Sequence, residues 1–114
     1  MTTVIPDLIK QNWNLRGYSF GVFRDPPGQV WADFVHKVDE LVVLAEGEIE
    51  VEIEGKVQLP QIGEEVFIPA NAVHTVRNVG RTNNVWYYGY KNNLEINFLK
   101  FILNIKENSM KKLR

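Results

Sequence analysis

The chain has no cysteine, which excludes disulfides, thiolate metal sites and a cysteine nucleophile. It has only two histidines, His36 and His74, so any imidazole chemistry rests on those two positions. Charge of one sign is also lacking: the net charge is −1, too small to draw the chain toward nucleic acid. No apolar run is long enough to span a bilayer, since the greasiest stretch, residues 98–105, is interrupted by Lys100 and Asn104. The first residues lack the basic and apolar segments of a secretory signal. A cytoplasmic protein without membrane or nucleic-acid partners is therefore expected. No phosphate-cradling glycine loop, dinucleotide fingerprint or serine nucleophile motif is present.

What is there fits one domain of 114 residues, 45% hydrophobic and 24% charged, as in an ordinary globular protein. Residues 1–16 give only weak strand or loop signals. Residues 18–23 predict a first strand, closed by the turn residues Asp25-Pro26-Pro27-Gly28. Strand material follows at 30–36 and again from Glu40 toward Gly47. In residues 48–54 glutamates alternate with Ile49, Val51 and Ile53, a half-buried strand. The glutamates fit a solvated strand face better than a cation-binding stripe. Glu54-Gly55 reads as a hairpin turn. Residues 85–90 form a last, aromatic strand, and short strands at this spacing predict an all-β barrel or double-sheet jelly roll.

From Lys91 onward glycine and proline disappear, and six basic against two acidic residues leave this segment at +4. Polar residues 97, 100, 104, 107 and 111 recur at helical spacing. The expected layout is a barrel over residues 1–92 and an amphipathic helical tail over 93–114, although residues 94–98 alternate and could prolong the last strand. The wide apolar side of such a helix needs cover, from the barrel or from a second copy in a homodimer.

Both histidines stand in patterned segments. In a strand running from Phe34, the side chains of Phe34, His36, Val38 and Glu40 would share one face. The other segment, residues 63–78, runs from a turn glycine through a short strand, stops at Pro69, turns at Asn71 and restarts at His74. Val76 and Asn78 share the face of His74. An isolated histidine here reads as a hydrogen-bonded rim residue; two strands side by side would instead gather two imidazoles and a carboxylate.

These segments resemble the two signature motifs of the cupin superfamily, G-x5-H-x-H-x3or4-E-x6-G and G-x5-P-x-G-x2-H-x3-N. The first is met by Gly28, His36, Glu40 and Gly47, with Phe34 where the first histidine stands. The second is met by Gly63, Pro69, His74 and Asn78, with Asn71 for the central glycine. The resemblance implies a double-stranded β-helix, or jelly-roll, barrel whose mouth holds a divalent metal such as Zn, Fe, Mn or Ni on histidines and a glutamate. Here that set is His36, Glu40 and His74, and a fourth ligand is missing. Asp33, beside Phe34, points outward by alternation and would need a bulge to reach the site. Phe20, Phe34, Val38, Val76, Asn78, Trp86 and Tyr88 are expected to line the pocket. With both histidines on a metal, neither is free for a histidine proton relay, and acid or base work falls to Glu40, a tyrosine such as Tyr88 or a metal-bound hydroxide. The function implied is a metal-dependent isomerase or dioxygenase acting on a small polar molecule. The alternatives are a non-catalytic small-ligand module and a barrel that has lost its metal.

Overall fold

Two four-stranded antiparallel sheets face each other, ordered β1-β8-β3-β6 and β2-β7-β4-β5. The computed structural model describes residues 3–92 together with Ile102, Leu103 and Ile105, and these last three are helical. The remaining tail, and the dimer interface expected of it, lie outside the described residues. The strands are β1 (Gly21–Asp25), β2 (Val30–Phe34), β3 (Glu40–Glu46), β4 (Ile49–Ile53), β5 (Lys56–Gln58), β6 (Glu65–Ile68), β7 (His74–Asn78) and β8 (Asn84–Tyr90). No helix among the described residues is long and apolar enough to cross a membrane.

The turn chemistry works as its residue types require. Glu54 and Gly55 both take positive φ, as a tight two-residue hairpin demands, and Asn71 holds φ 68° at the corner after Pro69. Strand β6 stops at Ile68, immediately before Pro69.

Between the sheets lies a core of Val42, Leu44, Ile49, Val51, Val66, Ile68, Ala72, Val76 and Trp86. Strand β3 is buried on both faces, which explains its unbroken apolar run Leu41-Val42-Val43-Leu44. Its outward residues Leu41 and Val43 pack with Tyr87, Tyr18 and Trp13 in a second cluster.

Trp13 belongs to a helix that the weak signals of residues 1–16 do not predict, α1 (Pro6–Leu15). Pro6 opens it, where a missing N–H costs nothing, and Asp7 in the first turn suits the helix dipole. Ten residues are marginal as an isolated helix, so distant contacts hold this one in place. Trp13 Nε1 donates to Glu65 Oε1 at 2.9 Å, and Arg16 grips both oxygens of the same carboxylate at 2.8 and 2.9 Å. These bonds hold Glu65 below the usual glutamate range; the Arg16 guanidinium dominates, partial burial opposes it, and the Trp13 indole adds to the effect.

Candidate metal centre and its pocket

At one end of the barrel, strand ends and a connecting loop bring His36, Glu40 and His74 together. Glu40 is the first residue of β3, where it faces Ile68 on β6 and Tyr90 on β8. His74 is the first residue of β7, paired with Phe34 and Ile53 on either side. His36 lies beyond the end of β2, in the connection that carries the chain from one sheet to the other. The expectation that His36 and Glu40 share one strand face is therefore corrected: imidazole and carboxylate meet because the two sheets close over the same end. The loop is tied down by its own backbone, as Asn71 N–H donates to the His36 carbonyl at 2.7 Å.

The donor atoms are close. Glu40 Oε1 lies 3.2 Å from His74 Nε2 and 3.8 Å from His36 Nε2. One donor atom from each residue falls within 4.8 Å of the other two. Metal–ligand bonds of about 2.1 Å at tetrahedral angles set neighbouring donors about 3.4 Å apart, so the two measured approaches suit a divalent cation. Glu40 and His74 are each only 4% exposed, and Glu40 Oε1 is buried without a hydrogen bond of good geometry despite its neighbours. Such an orphaned anionic oxygen is costly unless something positive completes it.

His74 is oriented by its neighbours. Its Nδ1 lies 3.0 Å from the Ala72 carbonyl, and donation there leaves the Nε2 lone pair directed at Glu40 and His36. Burial favours the neutral ring, but Glu40 and the Ala72 carbonyl outweigh it and leave the His74 pKa above the usual histidine range. His36 is steadied by rings: Tyr90 meets it edge-on at 4.9 Å between centroids, and Phe34 lies parallel at 6.1 Å.

A cavity of about 380 Å³ opens beside the three residues, walled by Phe23, Trp31, Phe34, Val76, Trp86, Tyr88 and Tyr90. Four of the pocket residues expected from sequence are in this wall: Phe34, Val76, Trp86 and Tyr88. The other three are elsewhere. Phe20 lies before β1, against Trp13 and Tyr87 in the outer cluster. Val38 is in the loop between β2 and β3 and does not reach the cavity. Asn78 faces inward like His74, but four residues further along the strand, about 13 Å away at the opposite end. There it is buried, donating to the Asp25 and Thr82 carbonyls and accepting from the Gly80 N–H.

Phe23 and Trp31 were not expected in the wall. Phe23 pairs with Trp86 across β1 and β8, and the rings stack at 5.0 Å. Trp31 faces inward three residues before Phe34, a spacing that a regular strand forbids. Register slips between them, where Asp33 takes φ 57°. The bulge exists, yet it leaves Asp33 exposed, with its N–H on Thr75 Oγ1, and does not bring its carboxylate to the site. On the far wall Gly21 faces Tyr88, and the absence of a side chain there makes room for the phenol ring.

Behind the wall sits a second carboxylate. Asp25, 2% exposed, accepts from Trp31 Nε1 at 3.1 Å and Trp86 Nε1 at 3.0 Å, both on Oδ2. Next to it Asn84 is fully buried, accepting from the Glu48 N–H and donating to the Glu48 carbonyl. A side chain at Gly47 would collide with that amide, which accounts for the glycine that closes the first motif.

No curated protein sequence matches closely enough to supply a relative, but solved structures share the architecture. TT1209 from Thermus thermophilus is similar at 26% identity with a TM-score of 0.60, over 66% of this chain and 73% of that one. The plu4264 protein from Photorhabdus luminescens is similar at 18% identity and TM-score 0.65, over 75% and 72%. An oxalate oxidase solved with the substrate analogue glycolate is similar at 23% identity and TM-score 0.61, over 68% of this chain but 43% of its own. At such identities the last two attest the fold alone. Residues 21–90 match the cupin domain family, and those residues contain every strand described and all three converging donors, so the chain belongs to the cupins.

Proposed function

We propose that this cupin holds one divalent cation, Zn, Fe, Mn or Ni, on His36, Glu40 and His74. The adjoining cavity receives a small organic molecule for a metal-dependent reaction of the isomerase or dioxygenase kind. The observation that carries this reading is the buried Glu40 oxygen, which has no hydrogen bond of good geometry and faces two imidazole nitrogens at 3.2 and 3.8 Å. Two neutral imidazoles and one carboxylate leave coordination positions free for a ligand. When bound, the cation would polarise an oxygen of the ligand and stabilise developing negative charge on it.

The chain's own groups do the remaining work. The Ala72 carbonyl fixes the His74 tautomer, and Tyr90 and Phe34 fix the His36 ring. Tyr90 also lines the cavity, where burial, with Glu40 and Tyr88 adding to it, pushes its pKa up to about 12. The phenol therefore keeps its proton and can donate a hydrogen bond to a ligand oxygen, but it is no base at neutral pH. The aromatic wall keeps water from the far side of a bound ligand.

A second reading, a non-catalytic ligand-binding cupin without metal, draws on Phe34. An apolar ring occupies the position of the first motif histidine and lines the cavity. Elemental analysis of the full chain separates the two. About one divalent ion per chain is expected, falling below about one tenth of that in His74→Ala and His36→Ala, which remain folded. A wild-type protein that takes up none of Zn(II), Fe(II), Mn(II) or Ni(II) refutes the metal reading.

A further inference from the structure

The cavity walls restrict what the proposed site can accept. Apart from His36, Glu40 and His74, the lining consists of six aromatic residues and Val76, and no lysine or arginine is among the residues described there. The two tryptophans add no hydrogen-bonding capacity, because both indole N–H groups are spent on Asp25 behind the wall. Carbon surfaces of Phe23, Trp31 and Trp86, with Phe23 edge-on to Trp31 and stacked on Trp86, thus form a dry flank. The capacity for charge is confined to one corner. A divalent cation there would carry one positive charge in excess of Glu40, with no cationic side chain in the wall to compete for an anion.

We propose that the pocket accepts a compact ring-bearing molecule with an anionic oxygen head, an aromatic carboxylate being the simplest case. The head reaches the His36, Glu40 and His74 corner and the ring lies against Phe23, Trp31 and Trp86. This rests on the metal reading above and goes beyond it by replacing the expectation of a small polar substrate with an apolar-bodied one. A small dicarboxylate such as fumarate, whose trans geometry keeps its two groups from chelating one ion, would place its second charged group against the rings, where no donor but a tyrosine hydroxyl meets it. A benzene ring fits within about 380 Å³ with room to spare.

The test is calorimetric titration of the zinc-loaded full chain with benzoate, acetate and fumarate, with metal content measured on the same sample. Benzoate is expected to bind at least about tenfold more tightly than acetate, the return on burying one ring. Trp31→Leu is expected to erase that preference while the metal content stays at the wild-type level. Should the substitution unfold the protein, Trp31→Phe serves instead, with the preference reduced rather than erased. Metal bound at about one per chain, with benzoate no tighter than acetate or with fumarate tighter than both, overturns the proposal and leaves the metal reading standing. Absence of metal overturns both. Benzoate that binds metal-free protein equally well overturns the placement of its head at the triad.

Discussion

Two buried carboxylates face the interior of this barrel from opposite ends, and their surroundings could hardly differ more. Asp25 accepts two indole N–H bonds on one oxygen and has the Asn78 amide beside it. Glu40 is as deeply buried, yet its Oε1 has no well-formed hydrogen bond and faces two imidazoles. The contrast separates a carboxylate bonded into the structure from one that, on the proposed reading, a cation would complete. Fixed N–H donors satisfy Asp25 Oδ2, whereas Glu40 Oε1 meets only the two imidazoles and without a bond of good geometry.

Breaking that contrast should produce effects of very different size. The largest is expected from Asp25→Ala, which strands two indole donors and opens a hole behind the wall. A loss of about 2–4 kcal/mol in denaturant unfolding is expected, with metal content little changed. Glu40→Gln is expected to abolish metal binding while changing the stability of metal-free protein by less than about 1 kcal/mol, because relief of a buried carboxylate is offset by the lost pairing with His74. If Glu40→Gln destabilises the metal-free chain as Asp25→Ala does, both carboxylates are structural and the distinction fails.

The smallest effect sharpens the comparison with a third, half-exposed carboxylate, Glu65, which ties α1 to the sheet. Its pKa lies below the ordinary value of 4.5 when folded, so the unfolded chain binds the proton first. The stability it contributes is complete above that ordinary value and is lost as pH falls through the depressed one. Wild type should accordingly lose stability on acidification more steeply than Glu65→Gln, a difference measurable as melting temperature from pH 6 to pH 3.

Much of this was legible in the sequence where local chemistry decides the outcome. Pro69 ends a strand, Asn71 turns a corner, and alternation in β4 buries Ile49 and Val51, each for reasons contained in a few residues. The converging triad was legible through motif spacing, but its route was not. The sheet change between His36 and Glu40 depends on how the barrel closes, which no single segment encodes. Helix α1 escaped for a similar reason: Ile5 caps it without a side-chain hydrogen bond, and its anchor Glu65 lies 52 residues from Trp13. The wall was half visible. Trp86, Tyr88 and Tyr90 follow from alternation in β8, whereas a strand drawn from Tyr18 sets the wrong parity and selects Phe20 in place of Phe23. Trp31 and Phe34 share the cavity only through the bulge at Asp33, and an aspartate in an otherwise regular strand pattern gives little warning of it.

Gly21 carries a consequence for how this barrel could diversify. Its backbone is not in the left-handed region, so an alanine there would meet no torsional objection, only the phenol of Tyr88. A single added methyl would force that ring to move, and because Tyr88 lines the cavity, the chamber would change shape without a substitution in its wall. Capacity can thus be tuned from an edge strand, leaving the chemistry at the mouth untouched.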